Sequence, residues 1–493
     1  MELNKIYNED CLTGMKKLED NSIDAIISDP PYQLSSITKR FGKKNSAKAQ
    51  YGTDGLFQRV SSGFMGKEWD VLPSVEILKE CLRVLKHGAW AMWLMTPRQD
   101  SQLDFLLRLK MAGFNISYSS LEWIYTRGFP KSMNISKAID RKLGYEREVT
   151  GIDQKFGRAD SGIYQMCVNG VDKKVFEKHD IPVSEEAKQL NGSYGGFQPK
   201  PAREFIIVSQ KPIAEKSYVD QALLHLKDPE HNQLGGTWLD DCRLPYKNNQ
   251  DKNSARWGGN VFYYKNVIIY DGEWKSLGKN RLASDNGRFP SNLLVSDNAI
   301  DIGINKKSKL VGGSKLPSTG KNIVRGYDDS GDLSHYFDLD IWFEEKIKEL
   351  PPEQQRIFPF FYVSKASVNE RNKGLEDFEV KKIEHDSLIR TNKETADKLG
   401  GERRTMLQNI HATVKPIKLM SYLIMLTTRE NDIVLDPFIG SGTTAISSII
   451  LKRKFIGFER ESEYWNIANG RIKYYQKMIM MDNFTNIENI KSE

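Results

Sequence analysis

The stretch VLDPFIGSGTT, residues 434–444, joins a predicted strand to a predicted helix through a tight turn. The strand spans residues 432–435 and the helix spans residues 444–452. Gly440 and Gly442 lie between them, and glycine lets the backbone approach a ligand closely because it carries no Cβ. Strands that alternate with helices in this way favour a sheet of the α/β class.

A carboxylate follows this turn at a spacing that nucleotide-binding proteins use. Residues 454–458 form the next predicted strand, and Glu459 at its end lies 19 residues after Gly440. An acid about 20 residues after such a turn binds a ribose in nucleotide-binding βαβ units. The pattern is neither a P-loop, because no lysine follows the second glycine, nor a GxGxxG motif. On these residues alone, two interpretations stay open: a nucleoside-binding site and a purely structural turn.

A second unusual transition, SDPPY at residues 28–32, follows the predicted strand 22–28. Its two prolines remove two backbone donors and fix two φ angles, so this segment aims carbonyl oxygens instead of continuing the strand. Asp29 thus follows one predicted strand, and Asp436 follows another 407 residues later. Ligands bind at the carboxyl ends of strands in open α/β sheets. If the two strands are neighbours, both acids face one cleft.

Further predicted elements extend this pattern in both directions. The predicted helices are 75–85, ended by Gly88, then 103–111, closed by Gly113, and 417–427 and 464–478. The predicted strands are 89–94, 116–124, 203–209 and 292–295.

The composition narrows the class of protein. The 493 residues carry a net charge of +7, which permits a nucleic-acid partner without requiring one. The four cysteines are scattered and form no CxxC pair, so neither a disulfide framework nor a metal site is predicted. No apolar run reaches the roughly 18 residues of a membrane span, and the first residues lack the pattern of a signal peptide. We therefore expect no membrane partner and a cytoplasmic location.

A basic stretch follows the SDPPY segment. Residues 34–67 hold seven lysines and arginines against a single acid, together with five glycines. A loop this long inside a compact domain is usually functional or disordered. Two interpretations stay open, a solvated linker and a mobile loop that contacts phosphates. In the second, the candidate phosphate-binding residues are Lys39, Arg40, Lys43 and Lys44.

Together the motifs resemble those of the amino-methyltransferases of DNA that use S-adenosylmethionine (SAM), in the permuted, β-class order with the catalytic motif before the SAM motif. The family's catalytic signature D/N/S-P-P-Y/F/W corresponds to DPPY at 29–32, and its SAM signature DPFxGSGT corresponds to residues 436–443. The stretch NIHATVKP, residues 409–416, resembles the family's HPTVKP block, with Ala412 in place of the proline. Three motifs in the family's order are a far more specific signal than any one of them.

The resemblance implies a fold and a division of the chain. The fold is an α/β, Rossmann-like SAM methyltransferase sheet, mostly parallel with one antiparallel hairpin strand, and a large inserted target-recognition domain. Residues 1–215 correspond to the catalytic half of the methyltransferase domain, with the mobile basic loop 34–67. Residues 216–405 correspond to the inserted target-recognition region, and residues 406–493 to the SAM-binding half.

The resemblance also implies the site residues. The catalytic residues are Asp29, Pro30, Pro31 and Tyr32. The SAM-binding residues are Asp10, Cys11, Asp29, His411, Thr413, Lys415, Asp436, Pro437, Phe438, Gly440, Ser441, Gly442, Thr443 and Glu459. Within this set Asp10 is the expected partner of the SAM adenine and Glu459 of the ribose, whereas Thr413 and Lys415 are expected near the SAM carboxylate.

The implied reaction is methyl transfer from SAM to the exocyclic N6 amine of an adenine flipped out of duplex DNA. The Asp29 carboxylate and the Pro30 carbonyl accept hydrogen bonds from the amine, which helps to disperse the developing positive charge, and Tyr32 stacks on the base. Cytosine N4 remains open as the target, as do an RNA substrate and a protein that binds DNA without turnover. The implied partner is double-stranded DNA, contacted through Lys39, Arg40, Lys43 and Lys44. A homodimer and a separate cognate restriction endonuclease are further candidates, in a bacterial cell or a phage-infected host.

Overall fold

The computed structural model describes most of the chain in separate ranges. These are residues 1–32, 70–125, 133–155, 175–195, 202–246, 249, 252, 285–296, 338–349, 366–383, 405–411 and 413–490. The predicted basic loop 34–67, with Lys39, Arg40, Lys43 and Lys44, lies outside the described residues, as does Ala412. The chain forms two compact units, one of residues 1–127 and 202–493 and the other of residues 128–201.

An eight-stranded sheet forms the centre of the first unit. Its strands in chain order are β1 (Lys5–Tyr7), β2 (Ile23–Ser28), β3 (Leu85–Met95), β4 (Leu121–Ile124), β9 (Arg203–Gln210), β10 (Leu293–Val295), β13 (Ile433–Asp436) and β14 (Lys454–Phe458). Their order across the sheet is β1-β14-β13-β2-β3-β9-β4-β10. Every neighbouring pair is parallel except the two that β9 makes with β3 and β4. The predicted mostly parallel sheet with one antiparallel strand is therefore confirmed.

The remaining strands form three two-stranded sheets. In the second unit, β5 (Met133–Asn134) pairs with β8 (Tyr194–Gly195), and β6 (Val149–Lys155) pairs with β7 (Val175–Asp180). In the first unit, β11 (Lys381–Ile383) pairs with β12 (Thr405–Leu407).

Helices occupy much of the rest of the described chain. They are α1 (Cys11–Met15), α2 (Val75–Val84), α3 (Gln99–Ala112), α4 (Ile135–Leu143), α5 (Glu185–Gln189), α6 (Tyr218–Lys227), α7 (Leu339–Lys348), α8 (Val368–Asn372), α9 (Ile417–Thr427), α10 (Thr443–Ile450) and α11 (Ser462–Ile490), with a 3₁₀ turn at Leu239–Cys242. Of these, α4 and α5 belong to the second unit. The last helix continues beyond residue 478, where the sequence pattern predicts its end.

Local sequence signals explain where several helices begin and end. The Ser74 side chain accepts a hydrogen bond from the Ile77 amide and caps the start of α2. Gly113, with φ 105°, ends α3 in the left-handed conformation, as its position predicts. The prediction for Gly88 is wrong: α2 ends at Val84, β3 begins at Leu85, and Gly88 lies inside that strand. Gly88 has φ 78°, and a Cβ there would lie 3.1 Å from the Gly235 Cα, so close backbone approach is its structural reason.

The hydrophobic core has a layer on each face of the sheet. Every residue of β2 is buried, and the consecutive Ile26 and Ile27 side chains face opposite layers. Ile27 joins the layer that contains helix α9, whereas Ile26 joins the layer that contains α2 and α3. This alternation follows from the two-residue period of a strand, and burial on both faces explains why β2 is an almost continuous apolar run.

The sheet order brings the two sequence motifs together. Strands β13 and β2 are neighbours, with Leu435 opposite Ile26. Asp436 and Asp29 therefore follow adjacent parallel strands at the same edge, as the sequence predicts. Strand β14 pairs with the other side of β13, with Gly457 opposite Asp436, so Glu459 lies at this edge too.

The division of the chain at residues 215 and 405 stays a prediction. Strand β10 and helix α7, which lie between those positions, belong to the first unit. Within the described residues, no helix combines the length and the hydropathy that a membrane span requires.

Candidate active site

Asp436 links the two motifs through a buried carboxylate. The Ser28 hydroxyl donates to its Oδ1 at 2.6 Å, and the Phe438 amide donates to the same oxygen at 3.0 Å. The Thr444 hydroxyl donates to Oδ2 at 2.5 Å. Burial raises the pKa of Asp436 to about 6, even though these donors oppose that change. Because Ser28 directly precedes Asp29, this carboxylate fixes the glycine turn against the start of the DPPY segment.

The glycine turn is closed on one side by His411. Gly440 has φ 52°, and a Cβ on it would lie 2.6 Å from the His411 Nε2 atom, so this position requires glycine for both conformation and space. The His411 ring packs edge-to-face on Tyr464, with ring centroids 4.7 Å apart. Burial lowers the pKa of His411 to about 3, so the imidazole is neutral at physiological pH. His411 therefore forms a wall of the turn.

Glu459 contacts the same turn from the end of β14. Its Oε2 accepts a hydrogen bond from the Gly440 amide at 3.0 Å, and its Oε1 accepts one from the Glu461 amide at 2.8 Å. Burial raises the pKa of this carboxyl to about 7. Each oxygen can still accept a second donor, which suits the ribose-binding role that the sequence predicts.

An arginine that belongs to none of the sequence motifs supports the glycine turn through hydrogen bonds. The fully buried Arg471 of α11 donates through Nη1 to the Ser441 carbonyl at 2.6 Å, to the Ser441 hydroxyl at 3.1 Å and to the Thr443 hydroxyl at 3.3 Å. Its Nη2 donates to the Glu370 carbonyl at 3.4 Å. A single arginine in an amphipathic helix carries no sequence signal for this role.

Helix α8 supports the NIHATVKP stretch in a similar way. Arg371 donates through Nη2 to the His411 carbonyl at 2.5 Å. The Asn409 side chain donates to the Arg371 carbonyl at 2.9 Å, and the Glu370 carboxylate accepts from the Ile417 amide at 2.8 Å. These contacts position the residues that lead into α9.

The remaining predicted cofactor residues lie around this edge. Asp10 is exposed and caps α1 by accepting from the Leu12 amide at 3.0 Å and the Thr13 amide at 3.3 Å. Cys11 beside it is buried, and burial raises the pKa of its thiol to about 12. Thr413 is exposed, Phe438 is half-buried, and the buried residues of the turn are Pro437, Gly440, Ser441, Gly442 and Thr443.

The DPPY segment has a backbone conformation held by two side chains. The Tyr32 amide donates to Asp70 Oδ1 at 2.9 Å, and the Tyr32 carbonyl accepts from the Ser101 hydroxyl at 3.1 Å. Pro30 is buried, and Pro31 and Tyr32 are half-buried. The Tyr32 hydroxyl donates to Asp29 Oδ1. Tyr32 is therefore held at its backbone and at its hydroxyl.

Lys415, which lies 386 residues after Asp29 in the sequence, contacts the DPPY segment. Its ammonium lies 2.6 Å from Asp29 Oδ2, 3.0 Å from the Tyr32 hydroxyl and 5.3 Å from the centre of the Tyr32 ring. The structure thus places Lys415 against the DPPY motif. Its expected contact with the SAM carboxylate stays a prediction.

A second carboxylate, which the sequence motifs also miss, faces this ammonium. Glu204 of β9 places its Oε2 3.5 Å from the Lys415 Nζ. Burial alone would lower the pKa of Lys415, but Asp29 and Glu204 outweigh it and raise that pKa, so Lys415 stays protonated. Burial raises the pKa of Asp29 and the Glu204 charge adds to this effect, whereas Lys415 and the Tyr32 hydroxyl oppose it. Glu204 lies inside an ordinary apolar strand, so only the fold identifies it.

The site resembles no metal centre. Among the residues that the structure describes, no cluster of three or more histidines, cysteines or acids is arranged to hold a metal ion. The donor set consists instead of carboxylates, hydroxyls, backbone amides and one ammonium, and the arrangement can bind a polar nucleoside beside a second group that donates hydrogen bonds.

Comparison of the sequence with known proteins gives a family match and several shorter matches. The family model N6_N4_Mtase, described as DNA methylase, matches residues 23–470. The type II methyltransferase M2.LlaDCHI of Lactococcus lactis subsp. cremoris is 48% identical over 62 residues, which are 13% of this chain and 23% of that protein. The type II methyltransferase M.HindIII of Haemophilus influenzae is 50% identical over 62 residues, 13% of this chain and 20% of that protein. The matches thus span about a fifth of the length of these relatives.

Solved structures with a likeness to this chain include a DNA methyltransferase and a SAM complex. The PvuII DNA methyltransferase (cytosine-N4-specific) aligns over 96% of this chain and 92% of its own, with 12% identity and a TM-score of 0.36. The M1.HpyAVI–SAM complex aligns over 95% of this chain and 98% of its own, with 13% identity and a TM-score of 0.31. Because the family model covers most of the sequence, this chain belongs to the N6_N4_Mtase family of DNA methylases.

Proposed function

We propose that this chain is a SAM-dependent, site-specific DNA methyltransferase that methylates the exocyclic N6 amine of an adenine extruded from duplex DNA. The observation that carries the proposal is the hydrogen bond from Ser28 to Asp436, which holds the DPPY segment and the glycine turn at one edge of the sheet. A target base and a nucleoside cofactor bound at these two segments would be neighbours. Two type II methyltransferases, 48% and 50% identical to this chain over 62 residues, support methyl transfer as the activity.

The residues of the turn fit a SAM molecule. The Glu459 carboxylate offers acceptors for ribose hydroxyls, and Gly440, closed in by His411, leaves no room for a side chain where a ligand would approach the backbone. Asp10, on the loop after β1, would complete the nucleoside site, because the Asn8 side chain connects this loop to the Glu459 carbonyl at 2.8 Å. When bound, SAM supplies an electrophilic methyl group.

The DPPY segment provides what a weakly nucleophilic amine needs. The lone pair of an exocyclic amine is delocalised into the ring, so hydrogen-bond acceptors must draw it toward a tetrahedral geometry. The Asp29 carboxylate and the Pro30 carbonyl are such acceptors, and neither proline adds a competing N–H. The Tyr32 ring stacks on the base, and the preorganised acceptors stabilise the positive charge that develops on the amine.

Adenine is the target that the motif favours, because DPPY is commoner in the adenine-N6 branch of the family and SPPY in the cytosine-N4 branch. The cytosine N4 amine is also a weak nucleophile and needs the same two acceptors. Cytosine N4 therefore remains the alternative target of the proposed enzyme.

The DNA duplex is the proposed macromolecular partner. Lys39, Arg40, Lys43 and Lys44 of the basic loop would contact its phosphates, which makes binding sensitive to salt, and residues 216–405 would read the target sequence. A homodimer and a separate restriction endonuclease are proposed companions. Because the proposed substrates are found in the cytoplasm of a bacterial cell or a phage-infected host, we propose that the protein acts there.

The decisive experiment identifies the product. Purified protein is incubated with SAM and duplex DNA of mixed sequence, the DNA is hydrolysed to nucleosides, and the methylated nucleoside is identified by mass spectrometry. We expect N6-methyldeoxyadenosine. N4-methyldeoxycytidine would replace adenine by cytosine in the proposal, and transfer to RNA alone or to no nucleic acid would overturn it.

A further inference from the structure

Glu204 is a half-buried carboxylate to which the proposed reaction assigns no role. It lies on β9, the antiparallel strand of the sheet, and its side chain is 14% exposed. The Tyr125 hydroxyl donates to its Oε1 at 3.3 Å. Its Oε2 accepts no hydrogen bond from any residue that the structure describes, although it is fully buried. A buried acceptor left without a donor is costly, so this oxygen requires an explanation.

The Lys415 ammonium is the donor nearest to this oxygen. It lies 3.5 Å from Glu204 Oε2, beyond a strong hydrogen bond, and 2.6 Å from Asp29 Oδ2. The Lys415 side chain is 8% exposed, so water screens these charges poorly. A displacement of about 1 Å would therefore exchange one carboxylate partner for the other, within the range of ordinary hydrogen-bond lengths.

Asp29 has the opposite problem, because one of the two donors on its oxygens is a cation. Oδ1 accepts from the Tyr32 hydroxyl and Oδ2 from the Lys415 ammonium. A target amine must donate to this carboxylate if Asp29 is to act as the proposed acceptor. The ammonium competes for the same oxygen and repels a positive charge on the amine.

We propose that Glu204 is a positioning residue that draws the Lys415 ammonium away from Asp29 when the target amine enters. This inference rests on the proposed amino-methyltransferase function. After this movement, Glu204 Oε2 accepts a hydrogen bond from the ammonium, and Asp29 Oδ2 becomes available to the amine. Lys415 remains paired throughout, so no uncompensated charge is left buried.

The charge balance of the group supports this role. Two carboxylates around one ammonium leave a net charge of −1 beside the position where positive charge would develop. With glutamine in place of Glu204, the group would have no net charge. Asp29 would then be the single described carboxylate within 4 Å of the Lys415 ammonium. Glu204 thereby gives the Lys415 ammonium a charged partner once it has moved away from Asp29.

The test uses Glu204→Gln, which keeps the size of the side chain and removes its charge. Single-turnover methyl transfer to duplex DNA is measured with saturating SAM, and SAM affinity and the melting temperature are measured separately. We expect the rate to fall about tenfold, the scale of coupling between charges in contact, with SAM affinity and melting temperature near those of wild type. The matched control is Glu122→Gln on neighbouring β4, whose carboxylate pairs with Arg203 at 3.0 Å and should leave the rate unchanged.

A double-mutant cycle with Lys415→Met separates positioning from direct contact with the base. If Glu204 acts through Lys415, Glu204→Gln will lower the rate in wild type and will not lower it further in the Lys415→Met background. An equal loss in both backgrounds would overturn the proposal, because it would mean that Glu204 acts without Lys415. A wild-type rate in Glu204→Gln would overturn it as well.

The pH dependence of kcat/KM gives a readout that a purely structural role would not change. The described groups that face Asp29 are Tyr32, Lys415, Glu204 and Asp436. Glu204 adds to the effect of burial in raising the pKa of Asp29. Glu204→Gln should therefore move the acid limb of the profile to lower pH, whereas an unmoved limb would contradict the coupling.

Failure of this inference is distinguishable from failure of the proposed function. The wild-type product experiment decides which base is methylated, or whether any is. If wild type methylates cytosine N4, the role of Glu204 is still tested, because that amine also donates to Asp29. If wild type transfers methyl groups and the Glu204 variants behave as wild type, only the positioning role is overturned.

Discussion

The half-buried Asp29 and the buried Asp436 are carboxylates at the ends of adjacent parallel strands, but their partners differ in kind. Asp436 accepts from two hydroxyls and a backbone amide, which are neutral donors held by the sheet and the turn. Asp29 accepts from a phenol and from an ammonium on a long, flexible stem. Fixed neutral donors suit a structural connection, whereas a charged donor that can move leaves the carboxylate available for chemistry.

The same contrast extends to the groups around each carboxylate. The glycine turn beside Asp436 is supported by Arg471 and closed by His411. Around Asp29, by contrast, one ammonium serves two carboxylates, and an oxygen of Glu204 lacks a donor among the described residues. The proposed cofactor side is thus already organised, and the proposed target side holds charges that a substrate would rearrange.

The largest effect is expected from Asp29→Asn. The amide keeps one acceptor but presents an N–H to the amine and loses the negative charge, so single-turnover methyl transfer should fall by about 10²–10³-fold. SAM affinity, measured by calorimetry, should stay within about twofold of wild type, because the proposed SAM site depends on Glu459 and the glycine turn and not on the charge of Asp29. Asp240→Asn, an exposed acid that pairs with Arg243, is the control with wild-type activity. Wild-type turnover in Asp29→Asn would remove the distinction between the two aspartates.

A stability effect should characterise Asp436 instead. Asp436→Ala leaves the Ser28 hydroxyl, the Phe438 amide and the Thr444 hydroxyl without their acceptor. We expect the free energy of unfolding to fall by about 3 kcal/mol, since each buried unsatisfied donor costs about 1–3 kcal/mol. Urea denaturation without cofactor measures the change. Thr444→Val, which removes only one of these bonds, should cost less, and equal stability of wild type and Asp436→Ala would argue against the structural role.

The smallest effect, and the sharpest test of the cofactor side, concerns Glu459. Burial raises the pKa of this carboxyl to about 7, and the ionised form is the better acceptor for ribose hydroxyls. SAM affinity should therefore increase as the pH rises from about 6 to 8. Glu459→Gln should weaken binding by about tenfold, the scale of one hydrogen bond to a charged group, and should flatten this pH dependence. Calorimetric titrations at several pH values measure both, and a slope that persists in Glu459→Gln would assign it to another group.

The raised pKa of Glu459 also predicts how the stability of the cofactor-free protein changes with pH. Its folded pKa of about 7 lies above the ordinary value of 4.5, so the folded state binds more protons than the unfolded state between these values. Stability contributed by this group is therefore lost as the pH rises from about 4.5 to 7. Glu459→Gln should remove that part of the pH dependence in urea denaturation, which serves as a check independent of SAM.

Local sequence patterns predicted the elements whose signals are local. The strand 454–458 and the helix 417–427 occur at the predicted residues, and Gly113 closes α3 as expected. The prediction for Gly88 was wrong because the structural reason for this glycine is not local. Residues 233–235 pass so close to β3 that a Cβ at residue 88 would crowd their backbone. Such a contact between distant segments leaves no trace in the pattern around residue 88.

The sequence predicted the part of the candidate site that consists of recognisable motifs. Asp29, Tyr32, Asp436, Gly440 and Glu459 belong to recognisable stretches, and the sheet brings them to one edge. Arg471 and Glu204 belong to an ordinary helix and an ordinary strand, and their roles depend on which segments they meet in the folded chain. Lys415 belongs to a motif, but its contact with Asp29 was not predictable from it.

The amino-acid sequence by itself determined the strand-to-turn transitions, the residue types at their ends and the resemblance to a methyltransferase family. These depend on backbone geometry and on side-chain chemistry within a few residues, which a linear pattern records. The tertiary structure alone decided which carboxylate became a structural connection and which one received the ammonium. That choice depends on burial and on partners hundreds of residues away, because the strength of a charge interaction is set by the distance and the solvent exposure that only the folded chain creates.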